Sequence, residues 1–322
     1  MLRSLALAIG LLASAAAVQA QSWPQRPVTF IVSQAAGASP DVMARLVAAR
    51  LEKILGQGVV IDNKPGAGNV IGAQAAARAA ADGYTFFFAT SASLANNPFM
   101  MKKLPYDPVN DFAPVALVTR SNQLIVVHKD VPAKNLAELI ALDKKEPGKL
   151  SLAIDGPRNL AGVTAQALNH IAGTKIVLVP YTNINAGIQD VLAGRVGVGI
   201  FSISVIEAHV RAGSVRALAV AADKRISALP DVPAAAETIP GFDFSGWFML
   251  MAPRGTPADV IGKMNAALDE ALKDPQVREM APKLGYELDP RSVGTPQDAS
   301  AFLKAQLTFW EKTTKELGIE PE

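Results

Sequence analysis

Nine short segments rich in Val, Ile and Phe alternate with helical patterns along most of this chain, and that alternation narrows the possible folds more than any other feature. The segments are VTFIVS (28 to 33), VVID (59 to 62), YTFFFAT (84 to 90), LIVVH (124 to 128), LSLAI (150 to 154), IVLVPY (176 to 181), VGVGIFS (196 to 202), VRALAVA (215 to 221) and WFMLMAP (247 to 253). Helix candidates lie between them. In 40 to 55, Met43, Val47, Leu51 and Ile54 share a face; in 160 to 172, Leu160, Thr164, Ala167, Leu168 and Ile171 do. Strands apolar on both faces and joined by crossover helices make an α/β protein with mostly parallel sheets flanked by helices. Nine strands over this length fit two sheets better than one.

Two Pro- and Asp-rich stretches interrupt the alternation, KLPYDPVNDFAPVALVTRSN (103 to 122) and LPDVPAAAETIPGFDFSGWF (229 to 248). They are the natural places for the chain to cross to a second domain and return. The expected division is a discontinuous domain 1 of residues 21–121 plus 245–322 and a domain 2 of residues 122–244, with a cleft between them. A double crossover of this kind builds a hinged, two-lobed receptor. After the second crossing, helices at about 257 to 273, 275 to 284 and 296 to 317 would pack back on domain 1, the last of them through Trp310. Trp247 and Phe248 read as hinge or core aromatics.

The first residues carry Arg3, an apolar run from Leu5 to Leu12, and small residues leading to Val18-Gln19-Ala20, the pattern of a secretory signal peptide cleaved after Ala20. No later segment approaches the roughly 18 apolar residues of a membrane span. The mature protein is therefore expected in the periplasm, soluble and not lipid-anchored, since the chain has no cysteine for an anchor or a disulfide. Net charge is +2 with both signs scattered, which argues against nucleic acid and against an anionic membrane surface.

The stretch VVIDNKPGAGNVIGA (59 to 73) raises the question of a dinucleotide site. Gly66 and Gly68 fit G-x-G-x-x-G, but Ile71 stands where the third glycine belongs and Gly72 is one step late. The next strand ends in Thr90 and Ser91 rather than in the acid that would hold a ribose. The loop is read as a strand-to-helix turn. No nucleotide and no other cofactor is expected.

At this point the chain resembles the Bug/TctC family, periplasmic solute-binding proteins of tripartite tricarboxylate transporters, from Trp23 to about Gly318. The likeness is carried by WPQRPVTFIVSQAAGASPDVMARL, DNKPGAGNVIGAQAAARAAADGYT, KLPYDPVNDFAPV, VPAKNLAELIAL with PGKL, VPY, RALAVAADKRISALPDVP, GWFMLMAPRGTP and DPQVRE, in that order. The resemblance implies a two-domain periplasmic-binding fold of the second type and no catalysis. It also implies capture of a small carboxylated metabolite for delivery to membrane subunits, by a receptor that works as a monomer.

Ligands in open α/β sheets bind beyond the carboxyl ends of strands, where helix N-termini point. After FIVS, the loop through Ala36, Gly37 and Ala38 leads to Ser39 as expected N-cap, Pro40 and Asp41. Small residues there let a carboxylate reach backbone N–H groups and the helix dipole; Ser39 and Asp41 equally suit capping of their own helix. In domain 2, DGPRNLAG brings Gly156, Arg158 and Asn159, a cap candidate, to the facing turn. Arg158 departs from the small polar residues and glycines of the family. It is either a bidentate partner for a ligand carboxylate or a solvated loop arginine. Thr90, Ser91 and Ser93, Tyr181 and Thr182, and Ser202 complete the candidates, each at a strand's C-terminal end. YTN stands where the family commonly has YKG, and Ser202 and Ile203 replace its acidic residue or Asn, which puts a ligand borrowed from a relative in doubt.

His128, His170 and His209 lie far apart, and Glu207 with His209 at i, i+2 diverge on a helix, so no metal site is expected. No G-x-S-x-G or S-x-x-K handle for a hydrolase is present. The expected function is capture and delivery of a small organic carboxylate. A ligand sensor docking on a membrane signalling partner is the alternative, and an exported hydrolase of the same acids stands further off.

Overall fold

The computed structural model describes residues 23–321 except 227 and 291, so the signal-peptide reading of residues 1–20 lies outside the described residues. All nine expected strands form, and they divide between two sheets as anticipated. The first sheet holds β1 (Val28–Val32), β2 (Val59–Asn63), β3 (Thr85–Thr90), β4 (Phe112–Ser121), β10 (Gly246–Pro253) and β11 (Tyr286–Glu287), in the order β11-β4-β10-β3-β1-β2. The second holds β5 (Gln123–His128), β6 (Ser151–Ile154), β7 (Val177–Pro180), β8 (Val198–Ser202) and β9 (Val215–Val220), in the order β7-β6-β8-β5-β9.

The expectation of mostly parallel sheets needs correction. Strand β1 runs parallel to β2 and β3, and β6 parallel to β7 and β8, while β10, β4, β11, β5 and β9 pair antiparallel. The reason lies in connectivity. Crossover helices link the parallel strands, whereas β4 and β10 carry the chain out of and back into the first lobe and so must run against each other. Their ends are paired neighbours, Ser121 opposite Gly246. The crossing segment 103 to 122, expected to break the alternation, contains the ten-residue β4.

Strand β10 lies between β3 and β4 and is buried along its whole length. Its side chains alternate between two cores: Trp247, Met249 and Met251 on one face, Phe248, Leu250 and Ala252 on the other. Both aromatics of the Trp247–Phe248 pair are therefore core residues. On the second face Phe248 and Leu250 meet α1 (Ser39–Leu55), whose Met43, Val47 and Leu51 are buried as their shared face suggested, while Ile54 is half-buried. On the other face pack α2 (Val70–Ala77) and a π-helical turn (Ala92–Asn96) that runs into the short α3 (Asn97–Met100).

The second lobe is built with α4 (Leu136–Lys145), α5 (Leu160–Ala172), α6 (Ile184–Leu192) and α7 (Ile203–Arg211). Helix α5 buries Thr164, Ala167 and Leu168 as expected, but Ile171 is 48% exposed. After β10 come α8 (Ala258–Lys273), α9 (Pro275–Lys283) and α10 (Pro296–Glu316), all on the first lobe. Helix α10 starts on a capping box between Thr295 and Asp298 and buries Trp310, whose ring lies 6.1 Å from that of Phe244 in the returning crossover.

Candidate functional site

The carboxyl ends of β1, β3, β6 and β8 converge on the gap between the lobes, and two adjoining cavities occupy it. The larger, about 290 Å3, is lined from the first lobe by Ser33 to Ala35, Ala38 and the loop Pro65–Asn69, and from the second by Asp155 to Asn159, Pro180 to Thr182 and Ile184. The smaller, about 30 Å3, lies further in and is lined by Ser39, Thr90, Ser91, Ser121, Gln123 and Ser202, among others. Gln34 and Asp155 border both. The volume of the larger cavity suits a small metabolite.

The helix starts at this gap include those of α1, α2 and α5, and glycines set the distance of the last two. A Cβ on Gly72 would stand 2.7 Å from Cα of Ser33, so only glycine lets α2 lie this close to the end of β1. A Cβ on Gly162 would come 2.1 Å from the carbonyl oxygen of Gly156, so the first turn of α5 sits directly on its own entry loop. The loop that feeds α2 holds four successive residues at positive φ: Gly66, Ala67, Gly68 and Asn69. It is a turn, with Gly72 packing helix on strand, and it also forms one wall of the larger cavity.

Of the candidates, Ala38, Gly156, Arg158, Asn159, Tyr181 and Thr182 line the larger cavity, and Ser39, Thr90, Ser91 and Ser202 the smaller. Ala36, Gly37, Asp41 and Ser93 line neither. The expected cap at Ser39 is corrected: the N-cap of α1 is Ala38, which makes no side-chain cap, and the Ser39 hydroxyl lies 3.2 Å from the Tyr286 hydroxyl and 3.4 Å from that of Ser121. Asp41 serves its own helix. Its carboxylate accepts from the Gly37 N–H at 2.8 Å, from Arg45 at 3.0 Å and from Asn63 at 3.0 Å. Burial raises its pKa, but those hydrogen bonds and the Arg45 charge outweigh burial and leave it below the ordinary carboxylate range. Ser93 is fully buried and turns back on Thr90, donating to its carbonyl at 2.8 Å.

Asn159 is the N-cap of α5 in position, yet its side chain does not cap. It accepts from Asn69 Nδ2 at 2.6 Å and donates to the Asp155 carbonyl at 2.6 Å, which ties the two lobes together at the cavity wall. Asn69 in turn accepts from the Ser33 hydroxyl at 3.0 Å. The Tyr181 hydroxyl is committed to Asp190 at 2.6 Å; burial and this anionic acceptor both raise its pKa, so Tyr181 offers the cavity a ring rather than a donor.

Asp155 is the main residue that the sequence reading passed over. It directly follows β6, one position before the candidate Gly156. Its Oδ1 is shut away from solvent with no hydrogen-bond partner, and burial pushes the carboxyl up to about 7. Gln34, Ser121 and Gln123 were likewise missed. Gln34 follows β1 directly, while the other two flank the first crossing and have no signal except their place beside it. Among the described residues no group of three or more His, Cys, Asp or Glu could hold a metal ion, and no helix is long and apolar enough to cross a membrane.

Two mixed sheets, each flanked by helices and facing each other across a cleft fed by helix N-termini, define a two-lobed binding protein. Residues 43–319 match the model of the tripartite tricarboxylate transporter family receptor, TctC, and the chain belongs to that family. It is 34% identical over 308 residues to protein BugT of Bordetella pertussis, covering 95% of this chain and 94% of that one. Rpa4515 of R. palustris, solved with adipate, superposes with a TM-score of 0.89 at 33% identity, covering 94% of this chain and all of that one. MatC of Rhodopseudomonas palustris, solved with bound malate, gives 0.85 at 32% identity over 90% of this chain and 99% of that one. Family and fold are those of substrate-binding proteins, not of enzymes.

Proposed function

We propose that this protein is a periplasmic receptor that closes on a small organic carboxylate and delivers it to the membrane subunits of a tripartite tricarboxylate transporter. The observation that carries the proposal is the larger cavity, where the N-termini of α1, α2 and α5 abut one shared space between the lobes beside Arg158. Backbone N–H groups and helix dipoles at such a junction stabilise a carboxylate, and an arginine adds a bidentate partner. The adipate and malate held by two family members support the same ligand class here.

In this reading residues 21–121 with 245–322, and residues 122–244, move as two bodies about the paired crossings, and the Asn69–Asn159 bond helps to latch them. Ligand binding then favours the closed arrangement that the transporter recognises, and the receptor acts as a monomer. The amino-terminal pattern directs it to the periplasm, which cell fractionation tests.

The ligand class is tested by thermal shift on protein unfolded and refolded to remove carried-over ligand, against succinate, malate, adipate, citrate and benzoate. A ligand at about 100 times its Kd adds roughly 2.7 kcal/mol and moves Tm by several degrees. Silence across this panel from folded protein would overturn the carboxylate assignment. Delivery is tested by uptake into vesicles bearing the membrane subunits, with and without the receptor.

A further inference from the structure

Among the described residues, the only charged side chains lining the larger cavity are Asp155 and Arg158. Arg158 makes no hydrogen bond or ion pair with any described residue, and although Asn159 and its own backbone N–H donate to the Asp155 carboxyl, its Oδ1 is buried without a partner. They are three positions apart on one loop yet do not pair with each other. Arg158 leans toward the outer wall, its Nε 3.5 Å from where a Cβ on Gly68 would stand. Asp155 also borders the inner cavity, where every other polar residue is a neutral hydroxyl or amide, including Ser91, Ser202, Gln34 and Gln123. The cleft is thus polarised, with a cation outside and an anion inside.

A ligand bearing only carboxylates would set a second negative charge against an acid that has no cationic partner and one oxygen unbonded and sheltered from water, which is costly. A ligand ammonium would remove that cost. Resting on the receptor reading above, we propose that the cleft selects a carboxylate that also carries a cationic nitrogen, with the carboxylate on Arg158 and the nitrogen on Asp155. The neutral hydroxyls and amides of the inner cavity are acceptors for the remaining N–H groups of such a nitrogen.

The test is isothermal titration of the refolded full-length mature chain at pH 8 with probes matched in length: aspartate against succinate, glutamate against glutarate, and 2-aminoadipate against adipate. The amino member should bind at least about tenfold more tightly in one or more pairs, because a site built for a hydrogen-bonding charge rejects the analogue that lacks it. Asp155→Asn should erase that preference while leaving the deaminated acid's Kd unchanged or tighter, and Arg158→Gln should weaken both members of the pair. If every deaminated acid binds as well as its amino partner, or if Asp155→Asn leaves the preference intact, the inference is overturned and the receptor reading stands. Absence of binding by all six probes, in wild type and Asp155→Asn alike, overturns the inference, and silence from citrate, malate and benzoate as well overturns the carboxylate reading.

Discussion

Asp41 and Asp155 are both partly or wholly sheltered carboxylates near the same cleft, and the structure drives them in opposite directions. For Asp155 burial outweighs the hydrogen bonds from its own backbone and from Asn159 and pushes the pKa up to about 7, above the unfolded value of 3.8. A group raised in this way binds more protons folded than unfolded between those two values, so its stabilising contribution is full below about 3.8 and lost as pH rises through about 7. Asp155→Asn should therefore raise Tm at pH 8 and leave it nearly unchanged at pH 4, checked by calorimetry at both; Arg158 is the one other charged group lining that cavity. Asp41 is lowered, so its contribution is present above its unfolded value and lost as pH falls through the folded one. Asp41→Ala strands the Gly37 N–H and the donors of Arg45 and Asn63. It should cost about 1–3 kcal/mol in chemical denaturation. Ligand affinity should change far less than with Arg158→Gln, because Asp41 lines neither cavity.

At the scale of elements, apolar runs with clear ends were legible and proline-bearing ones were not. Strand β4 was hidden because Pro114 falls inside it. The structure accommodates that proline where the β4–β10 register shifts, opposite Met251, and where β11 does not reach, since β11 pairs only with Arg120 and Ser121. Two-residue β11 offers no pattern to read. For the cleft, strand ends predicted most of the lining, but side-chain commitments such as Tyr181 to Asp190 or Ser93 to Thr90 depend on partners distant in space or on local turns. The glycine loop was read correctly as a turn, while its place on the cavity wall required knowing that α5 comes to face it. Its geometry gives a prediction at this scale: Gly72→Ala must push α2 off Ser33 and Lys64. Overpacking of this sort costs about 1–3 kcal/mol. Thermal denaturation should show that loss, and the displaced cavity wall should weaken ligand binding along with it.

Across the whole molecule, the lobes meet through Asn69 and Asn159 at the cleft and through Asn122 at the crossings, where Asn122 donates to Glu287 at 3.1 Å and accepts from Ser245 at 3.1 Å. Asn159→Ala removes the latch together with the hydrogen bonds of Asn159 to Asp155, and leaves Arg158 in place. It should weaken ligand binding by roughly tenfold, the factor that about 1.4 kcal/mol represents. Small-angle scattering should show a larger radius of gyration for that variant than for wild type at the same ligand concentration. The pairing of Ser121 with Gly246 carries a different consequence. Strands β4 and β10 are antiparallel neighbours whose adjoining ends are bridged by everything from residue 122 to 245, so in connectivity the entire second lobe occupies the position of a hairpin turn. Grafting lobes from other family members between these two strands is then a loop exchange, and it offers a way to build chimaeras in which the first-lobe and second-lobe walls of the cleft come from different parents.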